Sequence, residues 1–154
     1  TTALRGRAAA RIARVMAADS PYRLDDQIGY ALRRVTQRHL AIFAAAIPEV
    51  TTTQFAVLAR LAETGPLSQN QLGRAVAMDA ATIKGVVDRL ARLQFVVTNA
   101  DPEDRRRLTV ALTTEGAELY RRRIETALQV SRDTLAPLSA EEQTALMSLL
   151  SRLT

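Results

Sequence analysis

The chain has 154 residues and 16.9 kDa, 47% hydrophobic and 24% charged, which fits one folded domain better than two and speaks against a disordered chain. It has no cysteine and one histidine, His39, which excludes disulfides, thiolate or multi-histidine metal sites and cysteine nucleophiles. Lys+Arg number 21 against 16 Asp+Glu, a net +5, and no apolar run approaches the ~18 residues that a membrane span needs.

Residues 1–23 carry Arg5, Arg7, Arg11, Arg14 and Arg23 against Asp19 alone, so most of the excess sits there. Residues 3–18 have helical periodicity, with Leu4, Ala8, Ile12 and Val15 on one side. An N-terminal basic arm or extra helix is the plainer reading. A transit-peptide-like composition is the other. Ser20-Pro21 breaks the pattern.

Leu24 to Ala46 is expected as one long helix, with Ile28, Leu32, Val35, His39, Ile42 and Ala46 at 3- and 4-residue steps. Pro48 ends it. Thr51-Thr52-Thr53-Gln54 is a capping-box start, after which Phe55, Leu58 and either Leu61 or Ala62 turn inward. Gly65-Pro66 stops that helix. Ser68-Gln69-Asn70-Gln71 opens a short helix to about Val76. Asp79 caps the next one, whose inward stripe is Ile83, Val86, Val87, Leu90 and Leu93.

Phe95–Thr98 and Leu108–Leu112 are β-rich and flank a polar loop, residues 99–107. Together they predict a two-stranded hairpin with a charged tip. Thr113-Thr114-Glu115-Gly116 opens a long helix to about Leu135, and Pro137 breaks it. Ser139-Ala140-Glu141-Glu142 starts a last helix to Leu153. Leu146, Leu149, Leu150 and Leu153 form an apolar seam on it.

The fold class expected is mainly α with a small β-hairpin wing: a winged helix-turn-helix over 51–112, plus a helical dimerisation region from 24–50 and 113–154. The helix after Asp79 is the candidate recognition helix. Its outward side presents Ala81, Lys84, Gly85, Asp88 and Arg92, with Arg89 and Thr82 flanking and the small Ala80 beside Ala81. Small residues there allow close approach to base edges, and Lys84 can reach a phosphate or a guanine. Ser68 and Asn70 stand at a helix N-terminus suited to a phosphate. Arg105, Arg106 and Arg107 at a loop tip have no use in a core. A loop arginine can enter the minor groove, with Asp104 holding it by a charge-assisted hydrogen bond.

An enzyme is disfavoured: there is no glycine-rich phosphate loop, no metal spacing and no acid–base dyad, since Asp25-Asp26 and Glu141-Glu142 diverge around a helix. The intact Asp104-Arg105-Arg106-Arg107 tip argues against a protein-interaction module on a degenerate winged helix, and the balance of +1 over residues 24–154 (16 bases, 15 acids) is too low for architectural DNA binding driven by charge alone.

Asp101-Pro102-Glu103-Asp104-Arg105-Arg106, the strand after it and Leu112-Thr113-Thr114-Glu115-Gly116 resemble the wing signature of the MarR family. Asp79 to Leu90 resembles its recognition stretch, D-x-x-T-V-x-x-x-V-D-R-L. Thr51 to Leu58 resembles its L-T-x-x-Q-F-x-V-L, with Val50 at the leading leucine. The likeness spans about residues 24–154.

It implies a cytoplasmic homodimeric regulator, commonly a repressor, on a palindromic double-stranded operator. Arg105 would be the minor-groove arginine, Asp104 its support, and Asp88 a brace to Arg106 or Arg107. It implies no cofactor but a small-molecule effector, an aromatic carboxylate or an acyl-CoA. The pocket would be lined by Tyr30, Arg34, Arg38, His39, Phe43 and Phe55. For His39 a plain core role is the other reading.

Overall fold

The structure is a computed structural model that describes residues 22–100 and 108–154. The expected helix over 3–18 and the loop residues Asp104, Arg105, Arg106 and Arg107 lie outside the described residues. The chain divides into two compact units between Gln37 and Arg38.

In the first unit, Leu24–Asp26 is a single 3-10 turn, not the start of the long helix. Gln27 is extended (ψ 127°) and its side chain turns back to donate to the Arg23 carbonyl, so the helix begins only afterwards. Helix α1 then runs Ile28–Ala46. Its early stripe, Ile28, Leu32 and Val35, is largely exposed.

The remaining elements belong to the second unit. They are α2 (Thr52–Thr64), β1 (Leu67–Ser68), α3 (Gln69–Ala75), α4 (Ala80–Arg92), β2 (Val96–Ala100), β3 (Leu108–Leu112), α5 (Thr114–Leu135) and α6 (Ala140–Ser151). Thr51, Ser68 and Ser139 each close a full capping box. Asp79 and Thr113 cap α4 and α5 with their side chains alone. These residues answer the otherwise unpaired first N–H groups of each helix.

The wing is not a bare hairpin. Leu67 pairs with Val110 and Ser68 with Thr109, giving an antiparallel sheet of order β1-β3-β2. On the other side Val96 pairs with Leu112 and Thr98 with Val110.

Val57, Leu58 and Leu61 from α2, Leu72 from α3, Ile83 and Leu90 from α4, Val110 from β3 and Leu119 from α5 form one core. Leu61, not Ala62, is the inward residue of that turn. Leu93 was expected on the buried stripe but is 45% exposed, because α4 ends at Arg92 and the chain reverses there.

Both helices of the helix-turn-helix end the same way. After α3, Met78 N donates to Gly73 O (2.8 Å) and Ala77, at φ 54°, takes the left-handed position. After α4, Phe95 N donates to Leu90 O (3.0 Å) and Gln94, at φ 62°, does the same. Each is a Schellman end with a side-chain residue where glycine is usual.

Candidate nucleic-acid interface and effector region

Helices α3 and α4 meet closely because Gly73 has no side chain. A Cβ there would lie 3.0 Å from the Met78 carbonyl and 3.1 Å from Ile83 Cγ2. Packing one side of α4 through Ile83, Val86, Val87 and Leu90 leaves Ala80, Ala81, Thr82, Lys84 and Arg89 exposed and Gly85 half-exposed. The sequence-predicted recognition residues therefore share one open face. Asp79 accepts from Thr82 N at 2.7 Å, and that bond holds its carboxyl below the usual range.

The expected brace from Asp88 to Arg106 or Arg107 falls on residues outside those described. The Asp88 carboxylate pairs with Lys84 at 2.7 Å along α4. An exposed i,i+4 pair is worth only about 0.3–0.5 kcal/mol, so Lys84 can leave it for a stronger anion.

Ser68 is half-buried at the head of α3 and Asn70 is exposed. Between α3 and the wing a groove of about 420 Å3 is lined by Ser68, Gln69, Asn70, Gln71, Arg74 and Leu108. Arg74 also borders the smaller groove facing Ala80. Sequence reading passed over Arg74; its signal is the i,i+4 spacing from Asn70, which puts both on one face.

Of the expected effector residues, Tyr30 and Arg34 lie in the first unit, with the guanidinium 5.8 Å from the Tyr30 ring centre. Arg38 is already engaged: Nη2 donates to Asp133 O at 2.9 Å, closing the end of α5. His39 Nδ1 lies 3.0 Å from Thr134 Oγ1. That hydroxyl gives its one proton to Val130 O at 2.8 Å. Nδ1 must therefore be the donor, which leaves Nε2 as the acceptor of the neutral ring.

Phe43 and Phe55 are brought together, ring centres 5.8 Å apart and edge-on. Tyr120 of α5 extends the ladder at 5.6 Å from Phe55. Tyr120 was missed because nothing in the sequence places α5 against α2.

Residues 50–108 match the MarR family model. The repressor NicR of Pseudomonas putida is 41% identical over 137 residues, covering 88% of this chain and 87% of that one. A probable transcriptional regulator from Pseudomonas aeruginosa is 52% identical with a TM-score of 0.82, covering 86% of this chain and all of its own. BpsR of Bordetella bronchiseptica, solved to explain regulation of its DNA binding by 6-hydroxynicotinic acid, is 37% identical with a TM-score of 0.82, covering 87% and 97%. A helix-turn-helix with a bare α4 face, a three-stranded wing and likeness over nearly the whole length place this chain in the MarR family of transcriptional regulators.

Proposed function

We propose that the protein is a homodimeric repressor that leaves a palindromic operator when a small aromatic acid binds. The observation that carries the DNA reading is the α4 face of Ala80, Ala81, Thr82 and Gly85, small enough to admit base edges, with Lys84 and Arg89 at hand. Ser68, Asn70 and Arg74 border a groove suited to the sugar-phosphate backbone. Arg105, supported by Asp104, is assigned to the minor groove on the family's wing pattern, with Arg106 and Arg107 beside it.

Dimerisation is supported by what a single chain leaves uncovered: Ile28, Leu32 and Val35 on α1, Ile124 and Leu128 on α5, Met147, Leu149 and Leu153 at the C-terminal end. One recognition helix makes too few contacts for tight specific binding. Two, on half-sites ~34–36 Å apart, suffice.

The effector reading rests on BpsR's response to 6-hydroxynicotinic acid and on the ring ladder Phe43–Phe55–Tyr120 beside His39. A flat aromatic ring suits such a lining. The acceptor at His39 Nε2 suits a ligand hydroxyl or ring N–H.

The test is a gel shift on the promoter DNA beside the encoding gene, with and without 6-hydroxynicotinic acid, hydroxybenzoates and their CoA thioesters. Retarded DNA released by one of these acids is expected, with Arg105→Ala losing more than ~1 kcal/mol of affinity. Equal binding by wild type and Arg105→Ala would refute the wing assignment. Failure of every compound to release the DNA would refute the effector reading, and a monomer by sedimentation at micromolar concentration the dimer.

A further inference from the structure

Gly85 stands in the middle of α4, where only proline is a poorer helix former than glycine. Backbone angle does not call for it: among the described glycines only Gly65 has a positive φ. Packing does not call for it either. At Gly73 and Gly116 a Cβ would press on a backbone carbonyl. At Gly85 it would meet one atom within 4 Å among the described residues, Nη2 of Arg89 at 3.5 Å. The space beside Gly85 is thus bordered by a guanidinium rooted one turn further along.

Ala81, Gly85 and Arg89 form a row at i,i+4 spacing on the open side of α4. Helical side chains lean towards the N-terminus, so an arginine lies back over the preceding turn. Nothing in this row obstructs it, because Gly85 has no side chain and Ala81 only a methyl group. Arg89 is rooted on the flank of the recognition face. Gly85 lies about 40° nearer the middle of that face, at 100° per residue. Lying over Gly85 therefore brings the Arg89 charge inward from the flank.

The neighbouring cations are engaged. Lys84 is held by Asp88 at 2.7 Å, and Arg92 Nε turns back to the Asp88 carbonyl at 3.3 Å. The Arg89 side chain has neither an ion pair nor a hydrogen bond among the described residues. Its planar fork of N–H donors is left for a pair of acceptors outside the protein. In the major groove, guanine O6 and N7 are such a pair. A cation near the middle of a face of small residues meets the groove floor, and one at the edge meets phosphate.

We propose that Arg89, laid over Gly85, reads a guanine in each half-site through O6 and N7, while Lys84 contacts a phosphate. This rests on the operator reading above and assigns part of its base specificity: the Gly85–Arg89 pair sets one G·C pair per half-site.

Selection from a random duplex library by the full-length protein yields the operator, and fluorescence anisotropy on that duplex then measures each variant. Wild type is expected to require G·C at one symmetric position. Arg89→Ala should lower the preference for that pair about fivefold or more, the loss expected of a bidentate base contact. Arg89→Lys should lower it similarly, since it keeps the charge without the fork. Gly85→Leu fills the space under the guanidinium with a good helix former. It should lower the same preference, and combining it with Arg89→Ala should add nothing further. Its melting by circular dichroism at or above the wild-type Tm shows that it is folded. Lys84→Ala should keep the G·C preference while weakening binding to all duplexes alike, with the salt slope reduced by about one. The proposal is overturned if Arg89→Ala keeps the G·C preference, if it weakens binding to every sequence equally, or if folded Gly85→Leu keeps that preference. Enrichment of no sequence by wild type would overturn the operator reading and this inference together.

Discussion

Gly116 lies directly against the Phe95 carbonyl, so that a Cβ at 116 would overlap that oxygen. The same carbonyl accepts from Thr113 N at 3.1 Å, and Thr113 Oγ1 donates to Gln94 O at 2.6 Å while accepting from Gly116 N at 3.0 Å. The end of α4, the start of β2 and the head of α5 are thereby fastened at one point. The glycine of the L-T-x-x-G pattern is required there by contact, not by backbone angle.

Gly116→Ala is therefore expected to destabilise the protein. Alanine is the better helix former by about 1 kcal/mol, but the obstacle is backbone and cannot rotate away. A net loss of about 2 kcal/mol, some 4–8 °C in Tm, is expected by thermal denaturation. An unchanged or raised Tm would show that the contact is slack.

Gln94→Gly should do the opposite. Gln94 sits at φ 62° in the Schellman end of α4. Glycine reaches that region without steric cost, though it also loosens the unfolded chain. A gain of about 0.5–1 kcal/mol by urea denaturation is expected, at unchanged m-value. Loss of stability would mean that the Gln94 side chain does more than turn the chain.

The Glu49–Arg123 pair gives a pH signature. Arg123 lowers the Glu49 pKa, so the folded state favours the carboxylate. Its contribution is fully present above the ordinary glutamate range and is lost as pH falls through the lowered folded value. With both side chains about one-third exposed (33% and 32%), the pair is worth no more than about 0.5–1 kcal/mol. Comparing wild type with Glu49→Gln at low ionic strength should show a stability difference at pH 7 that shrinks on acidification towards pH 3. A constant difference across that range would exclude the ion pair as its source.

The proton count at Thr134 fixes His39 as the Nδ1–H form when neutral, which long-range ¹⁵N NMR reads directly. Thr134→Val removes the acceptor at Nδ1. It should return the ring to a mixture of tautomers and cost about 1 kcal/mol. An Nε2–H ring in the wild type would contradict the hydrogen-bond assignment.

Local signals in the sequence located the helix starts well. Thr51, Ser68, Asp79, Thr113 and Ser139 all cap where their side chains indicate, because a cap is settled within four residues. Signals that depend on distant partners were less legible. The two-residue strand β1 exists only through backbone pairing with Val110 and Thr109. Leu93 fits the period of α4 but falls past its end, where Gln94 reverses the chain. Arg38 is chemically suited to an anion, yet the end of α5, ninety-five residues on, already occupies it. The α4 face was readable because one helical period defines it. The place of Tyr120 against Phe55 was not, since it arises from the packing of α5 on α2.

The fastening of Thr113 and Gly116 to the end of α4 also makes it a fulcrum. The 22 residues of α5 extend about 33 Å from that point. A tilt of about 5° there would carry the far end, near Thr134 and His39, through about 3 Å. Conversely, a push of an ångström or two at that far end arrives at the base of the wing as a small rotation shared by α4 and β2. The recognition helix and the wing would turn as one piece, keeping their spacing to each other while changing their angle to whatever they hold.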